Sequence, residues 1–218
     1  MRGAVCQLIQ SLAHVALPLP VSVKRALHQS IDDNLHHPTE DIQRSAEGAL
    51  EAFTKVYMPK CSPEALSRTV SKYIKDLTDP NPAARRGAAR ALGALPEHLI
   101  KGAEQEVLKA LGSAVEIQED PEMRDAETRV NSIRALTAIC EKCRGSSTSE
   151  ASSQSDGGSN SEAACGVGGG DDILEVVIEK LLIGLQDYAT DNRGDVGSWV
   201  REAAMDGLDR CLRTVCRA

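Results

Sequence analysis

Aromatic residues are scarce in this chain of 218 residues, where they make up 2% of the composition with one Trp, one Phe and three Tyr. β-Strands are enriched in aromatic residues, so this scarcity argues against a β-rich fold. Hydrophobic residues nevertheless account for 41% of the chain, and most of them are Ala, Leu, Val and Ile. Such residues favour helices that pack closely on one another. The composition therefore predicts an all-α fold with no strand.

The chain also lacks the features of a secreted, membrane-spanning or nucleic-acid-binding protein. Residues 1–17 are moderately apolar, but Arg2, Gln7 and Gln10 among them predict an amphipathic helix, not a signal peptide or a membrane span. An odd number of cysteines, seven, and no Asn-X-Ser/Thr sequence favour the reducing cytosol. The formal net charge of −7 argues against binding to DNA or RNA. We expect a cytoplasmic protein without membrane insertion.

No catalytic, cofactor or metal signature is visible. The pair Cys140 and Cys143 has metal or redox spacing, but a zinc site would need a second such pair and a redox motif would need a βαβ context. His28, His36 and His37 have no partner at ligand spacing. The glycines at 166–170 follow no strand and precede two aspartates, so they do not form a phosphate loop. We predict a binding protein that is not an enzyme and holds no cofactor or metal.

What the chain does contain is an internal repeat that ends in small residues and leucine. Copies are anchored at Ile42, Ala84, Thr128 and Val200, which are separated by 42, 44 and 72 residues. Periods in the low forties are typical of paired-helix solenoids of the HEAT/armadillo type, in which each unit buries its apolar face against its neighbours. The pattern predicts an α-solenoid of about four to five helical hairpins.

The long last interval contains a segment at 144–170 that is rich in Ser, Gly and acidic residues. Such a segment cannot bury enough apolar surface to offset the entropy lost on ordering, so we predict a disordered loop. Without these 27 residues the interval becomes 45. The predicted organisation is helical repeats at 1–143, the loop at 144–170 and a last repeat at 171–218. Proline positions and apolar periodicity place helices at about 3–16, 20–36, 40–57, 63–78, 82–95, 97–117, 122–143, 172–187 and 196–216.

Two acid and arginine pairs share a spacing of six residues, Asp79 with Arg85 and Asp195 with Arg201. In a helical hairpin this spacing puts the acid in the turn and the arginine one turn into the second helix. Each arginine can then bind the acid of its own unit or of an adjacent one through charge-assisted hydrogen bonds. We predict that the four residues form a structural ladder that orients one repeat on the next.

Two stretches resemble a known family. The sequence from Asp187 to Met205, which reads DYATDNRGDVGSWVREAAM between them, is similar to the signature of the tubulin-folding cofactor D family of HEAT-repeat chaperones. The sequence from Arg86 to Gly102 resembles an upstream block of the same family. The family is far longer than this chain, so the resemblance implies a part of such a protein.

The resemblance implies a role in assembling and disassembling the αβ-tubulin heterodimer after the cytosolic chaperonin. The implied partners are β-tubulin, αβ-tubulin, the other tubulin-folding cofactors and an Arf-like small GTPase. A GTPase-activating effect on tubulin within the complex and an association with the cytoskeleton, at microtubules and the centrosome, are implied as well. The alternative, for which the repeat pattern alone suffices, is a generic HEAT scaffold for protein interactions.

Candidate partner contacts are the positions at which the signature exceeds what repeat packing requires. They lie in the turn before the last helix, where solenoids commonly present side chains to partners: Asp187, Tyr188, Thr190, Asp191 and Arg193. Trp199, the one tryptophan, is a further candidate, although packing against the preceding unit is the favoured interpretation, because burial of a large aromatic is the common case.

Overall fold

The computed structural model describes residues 1–59, 63–120, 124–150 and 169–217, and α-helix dominates them. In chain order the elements are α1 Arg2–His14, α2 Val21–Leu35, α3 Glu40–Tyr57, α4 Pro63–Asp76, α5 Pro82–Ala94, α6 Glu97–Ile100, α7 Glu104–Val115, α8 Ala126–Glu150, α9 Gly169–Gly184, β1 Thr190–Asp191, β2 Gly194–Asp195 and α10 Gly197–Arg217. The prediction of an all-α fold is confirmed.

The helices form two layers in which consecutive units stack. In one layer α1, α3, α5, α8 and α10 pack side by side, each against the next, and in the other α4, α7 and α9 follow the same order. Helices of the second layer also pack on those of the first, as α4 does on α5 and α9 on α10. This arrangement is the predicted α-solenoid, which is confirmed.

A continuous core of small and aliphatic side chains holds the layers together. On α5, Ala88 and Leu92 are fully buried, and on α8 the same is true of Ile133 and Leu136. Small residues let the helix axes approach closely: a Cβ added to Gly93 would lie 2.9 Å from the Cα of Ala135. The scarcity of aromatics thus reflects helix packing through alanine and glycine.

The start of α5 is fixed by a side-chain cap. Asn81 has extended backbone angles, and its side-chain oxygen accepts a hydrogen bond of 3.0 Å from the backbone N–H of Ala83. Pro82 occupies the first helical position, where its missing N–H costs nothing. The sequence Asn-Pro therefore begins this helix as the proline pattern predicts.

Replacing Asn81 with Ala should lower the free energy of unfolding by about 1 kcal/mol, because the amide that it caps would lose its partner. Chemical denaturation measures the change. Thr39 is the matched control: it precedes α3 in the same position but its side chain caps no N–H, so Thr39→Ala should change stability by a few tenths of a kcal/mol. Equal losses for the two variants would contradict the role of the cap.

The single helix predicted at 97–117 is divided in two. The helices α6 and α7 are separated by residues 101–103, and Gly102 has a φ of +89°. That left-handed conformation is open to glycine at no steric cost and it interrupts the helical hydrogen-bond ladder. The prediction of one continuous helix was wrong because Gly102 was read as part of the helix.

The boundary predicted between 143 and 144 also differs from the structure. Residues 144–150 continue α8, and α9 begins at Gly169, within the predicted loop. The remaining part of that loop, 151–168, lies outside the described residues. Composition placed the boundary where the last large apolar residues occur, whereas the helix runs on into the Ser-rich sequence.

A short β-hairpin corrects the prediction that no strand is present. Strand β1 pairs antiparallel with β2, with Thr190 opposite Asp195 and Asp191 opposite Gly194. Gly194 has a φ of +105°, which its lack of a Cβ permits. The Gly that closes this tight turn is a hairpin signal that helical periodicity cannot show.

Candidate protein-binding surface around the hairpin

The hairpin between α9 and α10 carries most of the predicted contact residues at the surface. Thr190, Asp191 and Arg193 are exposed, and Tyr188, directly before β1, is 73% exposed. The segment is nevertheless held by hydrogen bonds, among them one of 2.8 Å from the N–H of Gly197 to the carbonyl of Ala189. The surface is therefore both accessible and fixed in shape.

Arg193 is the centre of this surface. Its guanidinium donates to Asp191 at 2.7 Å and to Glu127 of α8 at 2.5 Å, and it lies 5.0 Å from the centre of the Trp199 ring. The hydrogen bonds from Arg193 lower the pKa of Asp191, and those to Asp191 and Glu127 raise the pKa of Arg193. Asp191 and Arg193 therefore both stay charged across the physiological pH range.

Tyr188 and Arg201 form a second, adjoining contact. The Arg201 guanidinium lies 4.6 Å from the centre of the Tyr188 ring and pairs with the Asp195 carboxylate at 2.7 Å. The hydrogen bond from Arg201 lowers the pKa of Asp195. This ion pair lies within one unit and orients an exposed aromatic ring.

Trp199 is 40% exposed. Besides its contact with Arg193, its side chain lines a groove on the face of α5 and α8. Full packing against the preceding unit, the structural alternative for this residue, is not what the structure shows. Part of the ring remains available to a partner.

Asp187 differs from the other candidates because it is buried. It is 3% exposed, its Oδ2 accepts a hydrogen bond of 2.6 Å from Nε of Arg129, and its Oδ1 accepts one of 2.9 Å from the N–H of Ala189. Arg129 lies in α8, in the preceding unit, and is buried too. Asp187 thus links two repeat units through a buried ion pair with Arg129, and it is not part of the candidate surface.

The other predicted pair, Asp79 and Arg85, does not form an ion pair between its side chains. The Arg85 guanidinium is buried and donates to the backbone carbonyls of Asp79 and Pro80 at 2.8 and 3.0 Å. The Asp79 carboxylate instead accepts a hydrogen bond from the N–H of Asn81 at 2.8 Å. The spacing is right for contact, but the arginine binds the backbone carbonyls of the turn and not the carboxylate.

Sequence reasoning missed a second ion cluster, which joins α5 to the start of α8. The Arg86 Nε donates to Asp125 at 2.8 Å, and Arg86 also pairs with Glu127 at 3.3 Å. Asp125 in turn accepts a hydrogen bond from the N–H of Thr128 at 3.0 Å. Burial alone would raise the pKa of Asp125, but the hydrogen bonds from Arg86 and Thr128 lower it.

The repeat period itself could have revealed this kind of contact. Several pairs join residues about one repeat apart: Arg86 with Asp125, Lys72 with Asp32, and Arg90 with Glu47. A search for opposite charges separated by roughly forty residues would have found them, because stacked units place equivalent positions side by side. Spacings within one hairpin, such as six residues, find only contacts inside a unit.

The residues weighed for metal or redox chemistry have structural surroundings. Cys140 is buried beside Cys211, and the hydrogen bond between the two thiols raises the pKa of Cys140. The ring of His28 stacks on Phe53 at 5.7 Å. Among the described residues, no group of three or more His, Cys, Asp or Glu could hold a metal ion. No helix in that part of the chain is long and apolar enough to cross a membrane.

Comparison with solved structures returns proteins of low similarity, one of which is a designed repeat protein. An engineered protein of known crystal structure matches over 94% of this chain and 72% of its own, at 17% identity and a TM-score of 0.44. A designed armadillo repeat protein in complex with the peptide (KR)4 matches over 94% and 90%, at 13% identity and a TM-score of 0.33. No protein-family model matches the chain.

Comparison with curated proteins finds a relative in Dictyostelium discoideum, tubulin-specific chaperone D. The two are 29% identical over 180 residues, which is 79% of this chain and 12% of that protein. The chain therefore spans only a small part of the length of its relative. The resemblance to the tubulin-folding cofactor D family is confirmed: this chain, an α-solenoid, is similar to a part of tubulin-specific chaperone D.

Proposed function

We propose that this chain is a tubulin-chaperone segment that binds β-tubulin during assembly and disassembly of the αβ-tubulin heterodimer. The observation that supports this proposal is the 29% identity to a tubulin-specific chaperone over 79% of the chain. It acts by binding and not by catalysis, since the fold offers a stack of helices with exposed turns for protein contact.

The proposal includes the wider complex in which the family works. The chain acts in the cytoplasm and at the cytoskeleton, together with other tubulin-folding cofactors and an Arf-like small GTPase. It contributes to GTPase activation of tubulin only as part of that complex. These partners follow from the resemblance and not from any feature of the described residues.

The tubulin contact lies on the hairpin surface, formed by Tyr188, Thr190, Asp191, Arg193 and Trp199. Interface energy concentrates in Tyr, Trp and Arg side chains that are held in place before binding. Tyr188 rests on Arg201, and Trp199 rests on Arg193, at 4.6 and 5.0 Å. Both aromatic rings are thus exposed and already oriented.

Inverting the charges of the hairpin tests this surface. The double variant Asp191→Arg with Arg193→Asp keeps the net charge but removes the pairing to Glu127, and Tyr188→Ala removes the exposed ring. We expect each variant to retain about one fifth or less of the β-tubulin that the unchanged chain captures in a pull-down, because loss of a central anchor costs more than 1 kcal/mol.

Ile117→Ala is the matched control, since Ile117 is an exposed apolar residue in the turn after α7. Its capture of tubulin should equal that of the unchanged chain, and thermal melts should show that all variants are folded. Equal capture by the hairpin variants would exclude this surface. If the unchanged chain captured no tubulin, the generic HEAT scaffold would be favoured.

A further inference from the structure

A groove crosses the layer of α3, α5, α8 and α10. It has a volume of about 390 Å³ and is lined by Gln43, Arg90, Val130, Asn131, Arg134 and Trp199, among others. A smaller hollow of about 60 Å³, lined by Asn131 and Arg134 as well, continues between α5 and α8 over Ala89, Gly93 and Ala138. Because these last residues are small, the floor of the hollow lies close to the helix backbones.

Asn131 is the most informative residue of the groove. It is 5% exposed, it lines both hollows, and its carboxamide forms no hydrogen bond with any described residue. Its amide atoms are nevertheless not fully buried, because they open onto the groove, where a ligand can reach them. A carboxamide offers an N–H donor and a carbonyl acceptor on one plane, which matches the acceptor and donor of a peptide group.

Arg134 follows Asn131 by one helical turn, so the two side chains share a face of α8. It is exposed and, within the described part of the chain, it pairs with no carboxylate. The neighbouring Arg90 differs, because it pairs with both Glu40 and Glu47 at 2.9 Å. The charge of Arg134 also acts on Glu40, which lines the same groove, but at a distance longer than an ion pair, so Arg134 can still pair with an incoming anion.

Trp199 supplies an apolar wall. Its ring contacts the Arg193 guanidinium, and part of its side chain lines the groove beside Asn131. An aromatic wall next to an open carboxamide and an arginine without an ion pair among the described residues combines three kinds of contact that a peptide can make at once.

We propose that this groove binds an extended peptide segment of a partner protein. A main-chain amide of the segment bonds to the Asn131 carboxamide, one acidic side chain pairs with Arg134, and an adjacent apolar side chain packs against Trp199. This docking site shares Trp199 with the hairpin surface but otherwise lies outside it, and it does not depend on the identity of the partner protein.

The charges around the groove favour a segment with a single acidic residue over a polyanion. Glu40, Glu47 and Glu127 also line the two hollows. Their carboxylates would repel the successive phosphates of a nucleic acid, whereas one carboxylate can reach Arg134 alone.

The single tryptophan of the chain makes the proposal directly testable by fluorescence. The probe is a blocked peptide, acetyl-Ala-Phe-Glu-Ala-Ala-amide, compared with the same peptide carrying Gln in place of Glu. Titration of the Glu peptide should shift the Trp199 emission in a saturable way. The Gln peptide should bind about ten-fold more weakly, because it loses the charge-assisted hydrogen bond to Arg134.

Two variants separate binding from folding. Asn131→Leu removes the carboxamide but keeps the volume, so the chain should stay folded, with an unchanged or higher melting temperature, and the Glu peptide should bind about ten-fold more weakly. Arg134→Ala should remove the preference for Glu over Gln. Arg213→Ala, a matched loss of an exposed arginine from α10, should leave binding unchanged.

Three results would overturn the proposal. The first is no saturable change up to about 5 mM Glu peptide, a concentration at which even weak specific binding is visible. The second is equal binding of the Glu and Gln peptides. The third is Asn131→Leu binding the Glu peptide as well as the unchanged chain does. None of these results alters the tubulin capture measured with Tyr188→Ala, so the two proposals fail separately.

Discussion

Replacing Asp187 with Ala is expected to lower the free energy of unfolding by about 3–5 kcal/mol, the usual cost of breaking a buried ion pair. The carboxylate and the Arg129 guanidinium are each 4% exposed and 2.6 Å apart. Removing the acid leaves a positive charge in the interior with no anion beside it, and it also deprives the Ala189 N–H of its acceptor. Urea denaturation with an unchanged m-value measures the loss.

The matched comparisons separate the buried charge from the loss of side-chain volume. Asp187→Asn keeps the shape and the bond to Ala189 but not the charge, so an intermediate loss is expected. The pair Arg129→Met with Asp187→Leu should recover most of the stability, because it leaves no charge buried. Lys55→Ala breaks an exposed pair with Glu51 within one helix and should cost about 0.3–0.5 kcal/mol. A loss no larger than this for Asp187→Ala would contradict the stabilising role of the buried pair between Asp187 and Arg129.

The repeat could be read from the sequence because solenoid packing repeats at the level of single residues. Ala84, Ala88 and Leu92 recur in kind at Val200, Ala204 and Leu208 because they occupy equivalent positions of two repeats. Nearly all of these side chains are buried in the structure. In a fold built from repeats, equivalent buried positions recur in the sequence at a fixed interval. An interval in the low forties is typical of α-solenoids.

The local backbone conformation was harder to predict from the sequence. Gly102 interrupts a sequence that is otherwise helical in its apolar period, and Gly194 closes a hairpin in a segment with no apolar alternation. Both depend on a positive φ at one glycine, which the periodicity of the surrounding residues cannot report. The extension of α8 into a Ser-rich sequence was also not predictable, because the apolar periodicity ends before the helix does.

The candidate site was predictable in place but not in detail. The sequence shows that Asp187, Asp191 and Arg193 exceed what the other repeats contain, but not that the first is buried while the others are exposed. Burial depends on Arg129, which is 58 residues earlier in the chain. Asn131 was missed for the same reason, because a side chain that opens onto a groove between helices is defined by its surroundings and not by any motif.

Gly87→Ala is expected to destabilise the chain by about 2–4 kcal/mol, although alanine is the better helix former. Gly87 lies in α5 where the helix crosses the end of α2, and an added Cβ would lie 2.0 Å from the carbonyl oxygen of Leu35. Helix propensity alone would favour alanine by about 1 kcal/mol. Overpacking of this kind costs more than that, because backbone must move to accept the methyl group.

The Leu35 carbonyl cannot simply turn away, since it accepts a hydrogen bond of 2.8 Å from Nε2 of Gln43. Gln43 also bonds the Ala83 carbonyl at 2.8 Å, so a shift of Leu35 would disturb the contact between two units. Gly3→Ala is the control, because no atom lies within 4 Å of its Cβ position in α1. That change should leave stability equal or raise it by up to about 1 kcal/mol. Thermal melts that moved both variants in the same direction would contradict the close approach of α2 and α5, because the two substitutions differ only in what the new methyl group meets.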